Sequence, residues 1–185
     1  MGMLTGLAGG KSQPRQAGQG PAAGAPPVLL GDLQMRIARD GTWLYQDSPI
    51  TRLPLVRLFA DVLRREDDGQ YWLVTPAERG RVVVEDVPFV AVEVRAEGTG
   101  RDQRLTFRSN LDEEAIAGEA HPLRVASDPD TGAMIPYILV RDRLEARILR
   151  PVFYHLVEFG EQNGEQFGVW SSGRFFPLGR LDLAR

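Results

Sequence analysis

The sequence predicts an α+β protein made of two related β-β-α-β-β units, each like one half of a duplicated α/β roll. Short apolar runs that alternate with polar residues and end at turn residues predict the strands. Two segments with apolar residues at helical spacing predict the helices, and the order of elements recurs in the second half. The 185 residues are enough for one domain or two small ones.

The composition excludes several classes of function. The formal net charge is −3, so the whole molecule has no field that attracts nucleic acid over a long range, and we do not expect a nucleic-acid partner. The absence of cysteine excludes disulfides and thiolate sites. Two histidines cannot build a zinc site without carboxylates. We therefore expect neither a metal nor a cofactor.

Residues 1–28 form a Gly- and Pro-rich leader whose only charges are Lys11 and Arg15, a composition that predicts a flexible segment. The run from Thr5 to Ser12 approaches a phosphate-binding loop, but Thr5 replaces the first glycine and no strand precedes it. The leader lacks the apolar stretch of a secretory signal, and no later segment is long enough to span a bilayer. We expect a cytoplasmic protein without a membrane span.

The N-terminal unit, residues 29–110, opens with a hairpin and continues into a helix. Asp40 and Gly41 form a favoured two-residue turn between two β-rich runs. A helical face follows, with Pro54 in its first turn. Its apolar residues are Leu55, Leu58, Phe59, Val62 and Leu63. Further strands are predicted at 71–74, 81–85, 89–95 and 103–108.

An acidic connection, residues 111–120, precedes the C-terminal unit, residues 121–185. The connection lacks the alternating ligands and central glycine of a calcium loop, so we interpret it as a solvated linker or a short helix. A second helix is predicted from Pro151, with Gly160 as its C-cap. Strands are predicted at 123–126, 135–140, 144–148, 166–170 and 174–178.

Aligning Leu53 with Leu149 brings the two helices and the strands that follow them into coincidence. The identity is low, so the repeat is one of pattern. The seam between two duplicated units is the natural place for a cleft.

The chain also carries distinctive short motifs. They are RIARDGTWLY from Arg36, SPI from Ser48, YWLVTP from Tyr71, VEDVPFV from Val84, HPLRV from His121, PY from Pro136, LEA from Leu144, VFY from Val152 and GVW from Gly168. Together they resemble an uncharacterised proteobacterial family, the domain of unknown function numbered twelve eighty-five, over residues 31–180. The resemblance implies a two-part α+β protein whose C-terminal half is loosely pleckstrin-homology-like. It also implies a site for a nucleotide-like signalling molecule between the two parts, and no established activity.

Seven residues are candidates for ligand binding: Thr75, Glu85, Asp86, Arg124, Tyr137, Arg141 and Tyr154. Thr75, Glu85 and Asp86 interrupt β-rich runs, so they either lie on a solvated face or line a pocket. Consecutive residues of a strand point to opposite faces of the sheet, so only one of the two acids can be buried on one side.

Arg124 and Arg141 lie in or directly after apolar strands, where an arginine could bind a phosphate or carboxylate with both arms of its guanidinium. The alternative is an internal ion pair with an acid such as Glu85, Asp86 or Glu145. Tyr137 and Tyr154 could stack on a base or fill the core.

Catalytic residues are not expected. His121 has no evident nucleophile, and Ser171 lies at a hairpin tip rather than at a strand-to-helix elbow. The favoured function is a regulatory or signalling module that binds a small anionic, nucleotide-like ligand between its halves. The alternative is a protein–protein interaction module. The third is a hydrolase that uses His121 with Glu85 or Asp86.

Overall fold

The computed structural model describes residues 26–128 and 131–180, so most of the predicted leader, with the Thr5–Ser12 motif, lies outside the described residues. The chain divides into two units, and one three-residue segment within the sequence of the first unit belongs to the second. The first unit runs to Ala38 and resumes as Thr42–Glu85. The second unit comprises Arg39–Gly41 and the chain from Asp86 onwards. Both units combine β-sheet with one α-helix, which confirms the α+β class.

The first unit is a six-stranded sheet with one helix, α1, at Leu53–Asp61. Its strands are β1 (Val28–Ile37), β2 (Trp43–Tyr45), β3 (Ser48–Pro49), β4 (Leu63–Arg65), β5 (Tyr71–Val74) and β6 (Glu78–Val84). They lie in the order β3-β2-β1-β6-β5-β4. The central pair, β1 and β6, is parallel, and every other pair is antiparallel. The predicted turn at Asp40 and Gly41 joins β1 to β2.

Helix α1 is shorter than its apolar spacing predicts. It buries Val56 and Phe59, and it ends at Asp61. Leu63 then enters β4, pairs with Leu73 of β5 and is fully buried. A buried leucine satisfies a helical face and a strand core equally well, so the pattern alone placed it in the helix.

The second unit contains another six-stranded sheet, in the order β10-β11-β12-β7-β8-β9. Its strands are β7 (Phe89–Glu97), β8 (Arg104–Ser109), β9 (Glu114–Ile116), β10 (Leu123–Ser127), β11 (Met134–Arg141) and β12 (Leu144–Ile148). Helix α2 (Arg150–Glu158) follows, and then an antiparallel sheet of β13 (Glu161–Asn163), β14 (Gln166–Ser171) and β15 (Arg174–Arg180). A 3-10 turn at Gly100–Asp102 joins β7 to β8.

The parallel pairing of β7 with β12 determines where the units divide. Val90 of β7 lies opposite Arg147 of β12, so the chain from Asp86 belongs to the second unit. This division differs from the predicted boundaries of 29–110 and 121–185, because β7 and β8 precede the acidic connection but pair with strands that follow it.

The acidic connection is neither a solvated linker nor a helix, and that expectation was wrong. It contains strand β9, whose Ala115 is buried opposite Phe107 of β8. Its carboxylates pair with arginines, Glu114 with Arg95 and Glu113 with Arg141. Those arginines are distant in sequence, so the local charge pattern could not reveal them.

Both units share the order hairpin, helix, short strand, hairpin. Each helix has a proline in its first turn, and β4 follows α1 as β13 follows α2. The sheet partners differ, because β6 pairs with β1 whereas β14 and β15 form a sheet with β13. The pleckstrin-homology-like character stays a prediction. Neither helix in the described part of the chain is long and apolar enough to cross a membrane.

Candidate functional site

Three polar side chains lie side by side on neighbouring strands of the second unit. Arg124 of β10 pairs with Tyr137 of β11, and Tyr137 pairs with Arg147 of β12. Residues that pair across strands point to the same face of a sheet, so the three form one row. The guanidinium carbon of Arg124 lies 4.0 Å from the centre of the Tyr137 ring, within the range of a cation–π contact.

Asp86 joins two members of this row. The Tyr137 hydroxyl donates to its carboxylate at 3.0 and 3.1 Å, and Arg147 Nη1 donates to Oδ2 at 3.0 Å. Burial raises the pKa of Tyr137 to about 12, and the hydrogen bond to the charged Asp86 adds to the rise. We call Asp86, Tyr137 and Arg147 the Asp86 network.

Both predicted anion-binding arginines have carboxylate partners inside the second unit. Arg124 donates to both oxygens of Glu145, with Nη2 to Oε2 at 2.7 Å, and this contact raises the pKa of Arg124. Arg141 donates to both oxygens of Glu113, at 2.8 and 3.3 Å. Both arginines therefore form internal ion pairs, which was the alternative to an anion site in the sequence analysis.

Two of the seven candidates belong to the first unit. The Thr75 hydroxyl accepts from the amide of Glu78 and donates to its carbonyl, each at 3.0 Å, which closes the turn before β6. Glu85 pairs with Arg36, and its amide donates to the carbonyl of Ile37 at 3.0 Å. The structure thus brings Asp86, Arg124 and Tyr137 together, and it places Thr75 and Glu85 elsewhere.

A groove of about 630 Å³ opens at the start of α2, and we call it the α2 groove. Its walls come from Asp128, Thr131 and Ala133 between β10 and β11, the first residues of β11, the end of β12 and the first turns of α2. Its lining includes Asp128, Met134, Arg147, Arg150, Phe153 and Tyr154. Tyr154 is 61% exposed and Met134 is 53% exposed, so both leave apolar surface in contact with water.

Two arginines and the first turn of a helix lie at the α2 groove, and one of the arginines, Arg147, is paired with Asp86. Arg147 and Arg150 line it, with Asp128 as the carboxylate among its described lining residues. The first turn of α2 contains no acid, and its N-cap, Leu149, makes no side-chain hydrogen bond to the helix. The positive end of the helix dipole therefore adds to the two arginines.

Of the residues at this groove, the sequence analysis named Tyr154 as a candidate but not Arg147 or Arg150. The signal for Arg150 was available, because it directly precedes Pro151, the residue from which the sequence predicts the helix. Arg147 had no local signal, since its role depends on the register between β11 and β12.

The residues of the hydrolase hypothesis have other partners. The His121 ring nitrogen Nδ1 lies 3.1 Å from the main-chain oxygen of Leu139. Asp86 binds Tyr137 and Arg147, and Glu85 binds Arg36. These contacts give the hydrolase hypothesis no support.

Comparison with known proteins shows the family. The profile of the N-terminal domain of DUF1285, a domain of unknown function, matches residues 21–87, and that of the C-terminal domain matches residues 88–178. The two profiles meet close to the division between the two units. No curated protein matches the chain.

Two solved structures are similar. A DUF1285 family protein from Silicibacter pomeroyi DSS-3 is 47% identical, with a TM-score of 0.83 over 98% of this chain and 96% of that chain. A DUF1285 family protein from Shewanella baltica OS155 is 24% identical and shares the fold, with a TM-score of 0.52 over 67% of this chain and 90% of that chain. Since the two profiles span most of its length, the chain belongs to the DUF1285 family, as its motifs indicated.

Proposed function

We propose that this protein is a regulatory module that binds a small anionic, nucleotide-like ligand in the α2 groove. One observation carries the proposal: the groove brings Arg147, Arg150 and the exposed ring of Tyr154 together at the start of a helix. Its volume of about 630 Å³ lies within the usual range for small-molecule sites, about 300–1,000 Å³. The proposal locates the site within the second unit rather than at the seam between the predicted halves.

The anionic part of the ligand binds at the helix end of the groove. Arginine suits a phosphate because its planar guanidinium presents several N–H donors in a fixed geometry. In the first turn of α2, the amides of Arg150 and Val152 have no acceptor within the helix and add further donors, whereas Pro151 has no N–H. Arg150 is the first residue of α2, so its side chain starts where these amides are.

The ring of the ligand binds against Tyr154. A side chain with 61% of its surface in water gains from stacking on a planar ring, because the contact removes apolar area of both from water. Met134 lines the same groove and provides a second apolar contact. This combination favours a nucleotide-like molecule over a simple inorganic anion.

A thermal-shift screen of the full chain against AMP, GMP, cyclic AMP and inorganic pyrophosphate tests the proposal. A ligand at 100 times its dissociation constant stabilises a protein by about 2.7 kcal/mol, which is readily detected. We expect a nucleotide to raise the melting temperature of the wild type and of Arg174→Ala, an exposed control. We expect a smaller rise for Tyr154→Ala. A nucleotide that stabilises Tyr154→Ala as much as the wild type contradicts the proposal.

A second function, the binding of an extended peptide, is supported by a different groove of about 450 Å³. It is lined mainly by residues of β10 and β15, which are edge strands of their respective sheets, together with Met134 and Gln166. A terminal strand offers backbone donors and acceptors to an added strand. Val125 lines this groove but not the α2 groove, so Val125→Asp should remove a partner that the wild type recovers in a pull-down. Failure of the wild type to recover a reproducible partner contradicts this function.

A further inference from the structure

Two consecutive acids are attached to different units of the protein. Glu85 is the last residue of the first unit, where its carboxylate pairs with Arg36 and its amide donates to the carbonyl of Ile37. Asp86 is the first residue of the long segment of the second unit, where it accepts hydrogen bonds from Tyr137 and Arg147. The Asp86 network therefore anchors the chain at the point where it enters the second unit.

Arg147 belongs both to the Asp86 network and to the α2 groove. Its Nη1 donates to Asp86 Oδ2 at 3.0 Å, and its side chain lines the groove. Both partners are largely shielded from water, so the pair is weakened less by salt than an exposed one. An anion in the groove would therefore contact the same guanidinium that Asp86 binds.

We infer that Arg147 couples occupancy of the α2 groove to the anchoring of Asp86. A bound anion draws the guanidinium towards the groove, which leaves Asp86 held by Tyr137 and loosens the chain from residue 85 to residue 87. The coupling is reciprocal: the factor by which a bound anion weakens the Asp86–Arg147 bond is the factor by which that bond weakens anion binding. The inference rests on the proposed function and names the regulation of that site.

Calorimetric titration of Asp86→Asn tests this coupling, with the nucleotide that gives the largest thermal shift as the probe. Removal of the carboxylate frees Arg147 without removing its side chain. We expect the variant to bind about three- to tenfold more tightly than the wild type, the range for a partly shielded ion pair. Glu113→Gln is the matched control, because it makes the same acid-to-amide change in the pair with Arg141, whose residues do not line the groove.

A double-mutant cycle separates competition from a simple loss of negative charge. If Asp86 acts through Arg147, Asp86→Asn should no longer tighten binding when Arg147 is already alanine. An equal gain in both backgrounds overturns the inference, as does an unchanged affinity of Asp86→Asn, and both results leave the proposed function intact. Failure of every probe to bind the wild type overturns the inference together with the proposed function.

Hydrogen exchange of the wild-type full chain provides a second test, which does not depend on the folding of any variant. When the probe binds, peptides that cover residues 85–87 should exchange at least about threefold faster, while the first turn of α2 exchanges more slowly. Protection of α2 without faster exchange at residues 85–87 shows that the groove is occupied and overturns the coupling.

Discussion

The guanidinium of Arg124 stacks on the ring of Tyr137 at 4.0 Å and donates to both carboxylate oxygens of Glu145. A planar, forked cation is the side chain that can make both contacts at once. The side chain of Glu145 is only 13% exposed, and Arg124 compensates its negative charge. The arginine therefore acts within the structure of the second unit.

Replacement of this arginine should affect stability rather than binding. We expect Arg124→Ala to lower the free energy of unfolding by about 1 kcal/mol, a value reduced because the side chain is half exposed. Urea denaturation measures the change, with Arg174→Ala as the control at an exposed position. If Arg124→Ala is as stable as the wild type but no longer binds the nucleotide, the prediction is wrong and Arg124 belongs to the ligand site.

The pKa of Tyr137 provides a test of the Asp86 network. Burial and the charge of Asp86 raise this pKa to about 12, above the ordinary value of about 10. The ultraviolet titration of the wild type, minus that of Tyr137→Phe, isolates this phenol from the other tyrosines. We expect Asp86→Asn to shift the difference curve to lower pH. A curve centred near pH 10 in the wild type contradicts the described network.

The same shift predicts how stability depends on alkaline pH. The folded state holds the phenolic proton more tightly than the unfolded state, so the contribution of Tyr137 is complete below about pH 10. It is lost as the pH rises towards about 12, where the folded phenol ionises. Chemical denaturation between these values should show a smaller pH-dependent loss for Tyr137→Phe than for the wild type. Equal slopes for both proteins would mean that the phenol is not perturbed.

Ser171 of β14 is fully buried and bridges β8 and the residue that directly follows β9. Its hydroxyl accepts from the amide of Leu105 at 2.9 Å and donates to the carbonyl of Ala117 at 2.7 Å. Ser171→Ala leaves the Leu105 amide buried without its partner, so we expect a loss of about 2 kcal/mol in urea denaturation. Ser172→Ala is the control, because that exposed hydroxyl donates to the same carbonyl at 3.0 Å. Similar losses for both variants would contradict this argument.

Gly168 allows β14 and β15 to approach closely. A Cβ atom at this position would lie 2.3 Å from the main-chain oxygen of Phe176, which a side-chain rotation cannot relieve. We expect Gly168→Ala to cost about 3 kcal/mol, at the upper end for overpacking. At Gly179, a Cβ atom would meet nothing within 4 Å, so Gly179→Ala should change the melting temperature little. Equal melting temperatures for the two variants would refute the close approach.

Much of the fold could be predicted because local chemistry determines it. The prolines at 54 and 151 mark where the helices begin, and the alternation of Leu144, Ala146 and Ile148 marks the buried face of β12. Element ends were harder to predict. Helix α2 ends at Glu158, and Gly160 does not adopt the left-handed conformation of a C-cap glycine. The ring of Phe167 lies where a side chain at position 160 would be.

The candidate site was predicted less completely because it depends on strand register. Asp86 and Tyr137 are far apart in the chain, and no local pattern indicates that they form a hydrogen bond. No local pattern indicates the role of Arg147 either. It alternates with buried residues along β12, as a residue on a solvated face would. Tyr154 was a candidate only because an aromatic ring can stack on a base or fill the core, and the sequence could not show that its side chain is exposed.

A calorimetric titration of the full chain with the nucleotide from the thermal-shift screen tests the central claim most directly. The wild type and Arg174→Ala should bind with the same affinity, whereas Arg150→Ala and Tyr154→Ala should each bind at least about tenfold more weakly, a loss of about 1.4 kcal/mol. Equal affinities for all four proteins would contradict the assignment of the ligand site to the α2 groove.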